Sequence, residues 1–461
     1  MTLPAAVYRP RNPQDSAYYR CVEDHFEAFV QIYDDRFSRQ YGLWRPYLEK
    51  VIYRYLDCGD PHNGFARVKC KDCSHEYLLA FSCKRRHFCP SCHQKRVVEF
   101  GEWLCTAVLK KGPHRHFIFS IPKILRRYFL YDRKLLADLS RCAWESLKVF
   151  IQQAVPEKNP IPGAVIAIQS FGDFLGFNPH CHILVTDGCL YGDNGMFRVA
   201  PPLELKKLEA IFRHKLLKML LGKGKITKDM IRMLSSWRHS GFNIFCGKRI
   251  SPNDETAMEN LARYIIRASF SQERMTYLDQ DATVGYTAKD GKDTKVFPAM
   301  EWLAWLAAMC SHIPNRGEQM VRYYGHYSNV SRGKRQMAGK DDAVPCILEA
   351  QGDEKSFRRS WARLIQKIYE VDPLVCPRCR GAMRIIGFIE DGQVIRAILE
   401  HLGLWLARSR PPPKIHDPPV RVHNSGRPID PFGRDDVSQL PVNDDLFYRD
   451  PEYAWDDYVQ A

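Results

Sequence analysis

Two Cys-x2-Cys pairs, Cys70/Cys73 and Cys89/Cys92, stand fifteen residues apart in a stretch crowded with His, Gly and Pro. A tetrahedral zinc ion takes four thiolates, and each Cys-x2-Cys turn offers two of them from one tight loop. Left as free thiols, the four would leave residues 58–92 with little to hold them together. The spacing therefore predicts one structural Zn²⁺ on Cys70, Cys73, Cys89 and Cys92, closed to substrate. Cys58/His62 and Cys83/His87 form two Cys-x3-His pairs in the same stretch. They are candidates for a second zinc, or else residues that pack around the first. A third pair, Cys376/Cys379, stands alone. It is either a knuckle completed by His401 or by another subunit, or a turn without metal.

Sixteen cysteines behind an N-terminus with no apolar leader point to a reducing compartment where thiols bind metal, hence the cytoplasm. The most apolar stretch, 296–310, is broken by Pro298 and Glu301, so no membrane span is expected. The net charge is +15, yet the last 56 residues hold 7 Arg/Lys against 10 Asp/Glu. A basic body with an acidic tail suits a polyanionic partner, because phosphate neutralisation by Lys and Arg drives non-specific nucleic-acid binding. A merely solvated basic surface is the plainer alternative. Lys84, Arg85, Arg86, Lys95 and Arg96 set such charge around the second knuckle.

Apolar spacing predicts a helical region over 1–56, the metal module over 57–100, and a mixed domain over 101–345. A small Cys-x2-Cys region (346–405) and a Pro- and Asp-rich disordered tail (406–461) follow. Within the mixed domain, strands are expected at 116–122, 163–171, 180–188 and 242–250, and a hairpin at 275–288. Helices are expected at 124–154, 203–221, 301–311 and from about Arg316. Asp254 is placed to cap another helix running to about Ala268. Without strict βαβ alternation, this pattern defines an α+β class with an antiparallel sheet.

In NPHCHILVTDG, His180 and His182 are two apart, so a strand turns both imidazoles to one face and Cys181 to the other. Together they could hold one divalent cation with open positions for substrate. Gln169, on the preceding strand, is a candidate third ligand if the register brings it alongside. In EQMVRYYGHYSNVSRGKR, Tyr323 and Tyr327 are four apart, which on a helix places both phenols on one face and Tyr324 elsewhere. Arg322, Arg332, Lys334 and Arg335 are candidate contacts to a DNA backbone. Taken singly, H-x-H and Y-x3-Y are most often packing residues.

The ordered set CxxC…SCKRRHFCPSC, NPHCH, RYYGHYSN and DPLVCPRC resembles the rolling-circle HUH transposases of bacterial insertion sequences. The nearest branch is the IS91-type, paired-tyrosine enzymes with an N-terminal zinc-binding domain, and the resemblance covers roughly residues 50–405. It implies a ferredoxin-like or RRM-like sheet with H-x-H on a central strand. It also implies Mg²⁺ or Mn²⁺ on His180, His182 and Gln169, and one or both of Tyr323 and Tyr327 as nucleophiles. The expected reaction cuts and rejoins single-stranded or hairpin DNA through a 5′-phosphotyrosine. No GxxxxGK[ST] loop occurs in the sequence, so unwinding falls to a host helicase, in a bacterial, nucleoid-associated setting. The rival readings are an HUH replication initiator or relaxase, and a non-catalytic zinc-dependent DNA-binding regulator.

Overall fold

The computed structural model describes residues 13–85, 87–172, 175–191, 196–201, 204–278, 283–287, 294–297, 299–339, 362, 366 and 372–405. Arg86 and the tail 406–461 lie outside the described residues.

Helices α1 (Ala17–Arg36) and α2 (Tyr47–Leu56) open the chain. Ser16 caps α1 by accepting from the Tyr19 N–H at 3.2 Å. Tyr18, Val22, Phe26, Phe29 and Tyr33 form its buried face at helical spacing. Strands β1 (Phe65–Cys70) and β2 (Glu76–Ala80) pair antiparallel, and α3 (Pro90–Trp103) follows. Then come β3 (His114–Ser120), α4 (Lys134–Gln153), β4 (Gly163–Phe171), β5 (Phe177–Thr186), α5 (Leu205–Gly222), β6 (Asn243–Ile250) and α6 (Glu255–Tyr264). The Asp254 carboxylate caps α6 by accepting from the Ala257 N–H at 2.9 Å. Near the C-terminal end lie α7 (Ala299–His312), β7 (Val321–Gly325), α8 (Asn329–Met337) and β8 (Met383–Ile389).

The mixed α+β class expected from the sequence is present. Its centre is a five-stranded antiparallel sheet in the order β7-β4-β5-β3-β6, which makes β5 the middle strand. Alternation sorts the side chains of that sheet. One face, with Phe117, Phe119, Ile166, Cys181, Ile183 and Val185, is buried against Leu139, Trp144 and Leu147 of α4 and Phe212 and Leu216 of α5. The other face carries His116, His180 and His182, and Tyr264 of α6 packs edge-on against His116 and His182. The hairpin at 275–288 forms as Met275–Leu278 paired with Thr283–Thr287.

Two features differ from the sequence reading. The segment expected to be a helix from about Arg316 is a strand, β7, followed by a turn and then α8. Gly325 ends that strand at φ 57°, where a Cβ would meet the Pro162 carbonyl oxygen at 2.0 Å. Only glycine fits that left-handed position, and the helical spacing of Tyr323 and Tyr327 is lost there. The second difference concerns the C-terminal region. β8 pairs antiparallel with β1, from Cys70 opposite Met383 to Phe65 opposite Ile389. Residues 383–389 therefore belong to the same sheet as the N-terminal cysteine module.

Candidate active site and cysteine centres

The register of β4 on β5 sets Gln169 directly opposite His180 and Ala167 opposite His182. His180 donates through Nδ1 to the Asn178 carbonyl at 2.7 Å. A carbonyl only accepts, so Nε2 of His180 keeps its lone pair. That atom lies 3.1 Å from Nε2 of His182, close to the roughly 3 Å that separates two nitrogens each about 2.1 Å from one ion at a near-right angle. Gln169 donates through Nε2 to the Ile265 carbonyl at 2.9 Å, yet its Oε1 is buried with no hydrogen-bond partner. An orphaned buried acceptor is costly. On the residue opposite His180, its chemistry fits one more ligand to a divalent cation. Burial lowers the pKa of His180 to about 4 and that of His116 to about 3, and depresses that of His182 strongly. All three are neutral at pH 7, the form that binds metal.

Tyr323 stands opposite Val165 on β4, and Val165 stands opposite Leu184 on β5. Alternation therefore puts Tyr323 on the same sheet face as His180 and His182. Two strand spacings and a two-residue offset separate Tyr323 from His182, about 12 Å between Cα atoms. The Tyr323 ring lies edge-on to Trp103, with centroids 5.8 Å apart, and the Arg332 guanidinium sits 5.3 Å from its centroid. Burial pushes the phenol up to about 12, against the pull of the Arg332 and Arg96 charges. Tyr324 points to the opposite face, stacked on Trp144 and 3.0 Å from the Ser140 hydroxyl.

The expectation that Tyr327 shares a helix face with Tyr323 is corrected. Tyr327 lies in the turn after β7, fully buried, with its hydroxyl 2.7 Å from Nε2 of His114. A Cβ on Gly163 would meet its ring at 2.9 Å, so the backbone is fitted closely around it. Among the candidate DNA contacts, Arg332 lies against Tyr323 and Trp103. Arg335 donates to the His326 carbonyl and the Ser331 hydroxyl, each at 2.8 Å. Arg322 pairs in register with Ile166, on the face away from Tyr323. Lys334 lies in the last turn of α8. The sequence reading did not include His114 and His116, although a second H-x-H (HRH, 114–116) was there to be read. It also gave no signal for Trp103, which a helix from the cysteine module delivers.

The cysteines group differently from the spacing argument. Cys58, Cys83, Cys89 and Cys92 have their sulfurs within 4.8 Å of one another. Cys58 and Cys89 are 3.8 Å apart, and Cys83 and Cys92 are 3.6 Å apart. Four thiolates about 2.3 Å from a tetrahedral zinc stand about 3.8 Å from each other. This tetrad thus has structural-zinc geometry, with Cys89 at the N-cap of α3, where the helix dipole favours a thiolate. Cys70 and Cys73 instead face Cys376 and Cys379, so the set Cys70/Cys73/Cys89/Cys92 does not form. Pairing of β1 with β8 is the physical reason, because it carries the first knuckle away from the second. His62 belongs to neither tetrad; its Nδ1 lies 2.6 Å from the Asp60 carboxylate. His87 likewise lies outside both, with its N–H donating to Nδ1 of His93. His401 ends a helix, Gly392–His401, and does not complete the C-terminal knuckle.

Residues 28–121 match a family described as "Transposase zinc-binding domain", and residues 163–335 match one described as "Putative transposase". The chain is also 24% identical over 355 residues to the transposase for insertion sequence element IS801 of Pseudomonas savastanoi pv. phaseolicola, covering 72% of this chain and 82% of that protein. No solved structure matches the chain at a significant level. These matches make the chain a transposase, an enzyme that processes DNA. It belongs to the IS91 type of insertion-sequence transposases and carries an N-terminal zinc-binding domain. No helix among the described residues is long and apolar enough to cross a membrane.

Proposed function

We propose that this transposase cuts and rejoins single-stranded DNA through a 5′-phosphotyrosine on Tyr323, in transposition of the rolling-circle type. The observation that carries the reading is the buried, unpartnered Gln169 Oε1 opposite His180, on the same sheet face as Tyr323. His180, His182 and Gln169 would hold a divalent cation, Mg²⁺ or Mn²⁺, on the middle strand of an HUH-type sheet. When bound, that ion withdraws charge from a phosphate oxygen and so favours attack at phosphorus.

The chain's own residues then divide the work. Arg332 and Arg96 favour the phenolate of Tyr323 and can hold the DNA backbone. The phenolate oxygen bonds to phosphorus, the P–O3′ bond breaks, and the freed 3′ oxygen takes a proton. The phosphoester is conserved in the link to tyrosine, so the reverse attack by a 3′-OH rejoins DNA without ATP. Lying against Tyr323, Trp103 and Arg332 offer an aromatic face and a charge for an unstacked base and its phosphate. Single-stranded or hairpin ends are the substrate because a paired, stacked strand cannot bring its phosphate to a recessed tyrosine. In this reading residues 101–345 form the nuclease unit, 406–461 lie outside it, and a host helicase supplies the single strand.

A labelled single-stranded oligonucleotide with Mn²⁺ tests this. The expected result is a denaturation-resistant adduct that maps to Tyr323 and is absent from His180→Ala/His182→Ala. Binding without any adduct would favour a non-catalytic regulator, and DNA attached at Tyr324 would overturn the site.

A further inference from the structure

The two Cys-x2-Cys turns left over by the first tetrad are near copies of each other. In one, the Cys70 N–H donates to the His75 carbonyl at 2.8 Å; in the other, the Cys376 N–H donates to the Gly381 carbonyl at 2.8 Å. Each has a non-glycine residue in the left-handed region directly after its second cysteine, Ser74 at φ 58° and Arg380 at φ 63°. The turns face one another across the β1–β8 pair, with Cys70 and Cys379 sulfurs 3.5 Å apart and Cys73 and Cys376 likewise. All four sulfurs fall within 4.8 Å of one another. The Asp72 N–H donates to the Cys70 sulfur at 3.4 Å, a contact that favours a thiolate. The two turns approach closely at Gly381, where a Cβ would meet the Asp72 carboxylate and require that side chain to move.

From this geometry we propose that Cys70, Cys73, Cys376 and Cys379 hold a second zinc ion. This zinc fastens the segment around β8 to the N-terminal cysteine module. Cys376 and Cys379 fall outside both matched family regions, 28–121 and 163–335. A four-thiolate zinc carries a net charge of about −2. Lys69, Lys71, Arg378, Arg380 and Arg384 lie in the two turns and their flanks and offset it. The two tetrads differ in access. Cys73 and Cys379 are exposed, whereas Cys58, Cys83, Cys89 and Cys92 are all buried. The second zinc is therefore the one that a chelator reaches first. Its loss frees β8 from β1 and leaves the central sheet standing. This proposal is independent of the DNA chemistry above.

Zinc analysis of the full-length protein purified under reducing conditions tests it. We expect two zinc ions per chain in the wild type and one in Cys376→Ser/Cys379→Ser. One zinc in the wild type, or two in the variant, overturns the proposal. So does a Cys70–Cys379 disulfide found by mass spectrometry in the reduced protein. Should the variant fail to fold, the wild type still decides by stepwise chelation. One zinc should leave first, with rapid amide exchange appearing in Phe65–Cys70 while His114–Ser120 stays protected. Simultaneous loss of both ions, or exchange in the central sheet first, counts against it.

Discussion

Nε2 of His116 lies 3.0 Å from Nδ1 of His182, and the two rings are within 7° of parallel. With a cation on Nε2 of His182, that ring carries its proton on Nδ1 and donates it to His116. His116 then fixes both the tautomer and the ring plane of a ligand without touching the ion. Partners of this kind are typically worth 10–100-fold in metal affinity, so His116→Leu should weaken Mn²⁺ binding by about that factor. His116→Gln, which keeps a polar atom in reach, should recover much of the loss. Calorimetric titration with Mn²⁺ reads both, and wild-type affinity in the Leu variant would remove His116 from the site.

The two tyrosines of the Y-x3-Y pair should behave differently in the first cleavage. Tyr323→Phe removes the nucleophilic oxygen and keeps the ring against Trp103, so no adduct should form. Tyr327→Phe deletes a buried hydrogen bond and leaves His114 Nε2 without its partner, at a cost of about 1–3 kcal/mol. The adduct at Tyr323 should survive this change. Thermal unfolding and peptide mapping give the answer, and an adduct on Tyr327 would reverse the order of the two.

Zinc loss at the buried tetrad should be felt at the nucleophile. α3 begins at Cys89 and Cys92 and ends at Trp103 against Tyr323, with Arg96 between. Cys89→Ser should release one zinc, because structural-zinc affinity is folding free energy. Adduct formation should fall with it, even though no catalytic side chain has changed. Full zinc content together with full cleavage in this variant would refute both the ligand set and the link.

Acid should destabilise the protein in a defined window. Burial lowers His114 to about 4 and His312 to about 3. His312 is held neutral between the Ser170 hydroxyl and the Leu175 carbonyl. The unfolded chain has histidine pKa values near 6.5, so below that pH it binds more protons than the folded chain. Stability should be flat above about pH 6.5 and fall below it by about 1.4 kcal/mol per pH unit for each such histidine, until the folded pKa is reached. An unfolding temperature unchanged between pH 6.5 and 5 would contradict this, and His312→Gln should shrink the slope.

Much of this was legible in the sequence because local patterning decides it. Alternation placed His180 and His182 on one face, and the apolar runs marked β4, β5, α4 and α5. Asp254 announced a helix start. What could not be read was pairing between distant segments. Spacing alone joined Cys70/Cys73 to Cys89/Cys92, whereas strand pairing joins them to a knuckle some three hundred residues away. Y-x3-Y suggested a helix, but β7 gains an edge position on the sheet beside β4, and Gly325 breaks the run. Tertiary packing overrode local propensity there. Trp103 carried no motif at all, and Arg96 was legible only as charge beside the second knuckle, since their places next to Tyr323 follow from how α3 docks.

The β1–β8 pairing also sets an order of events during synthesis. Cys73 leaves the ribosome 303 residues before its partner Cys376. At about 5–20 residues per second, that is a wait of roughly 15–60 s. For that interval β1 has only β2 beside it and two thiols without their counterparts, while the five strands of the central sheet can already assemble. A chain broken off before Cys376 would carry every candidate catalytic residue and yet leave β1 as a bare sheet edge. Such an edge is a ready template for pairing with another chain, so an unfinished copy exposes an aggregation site that the finished one covers with β8.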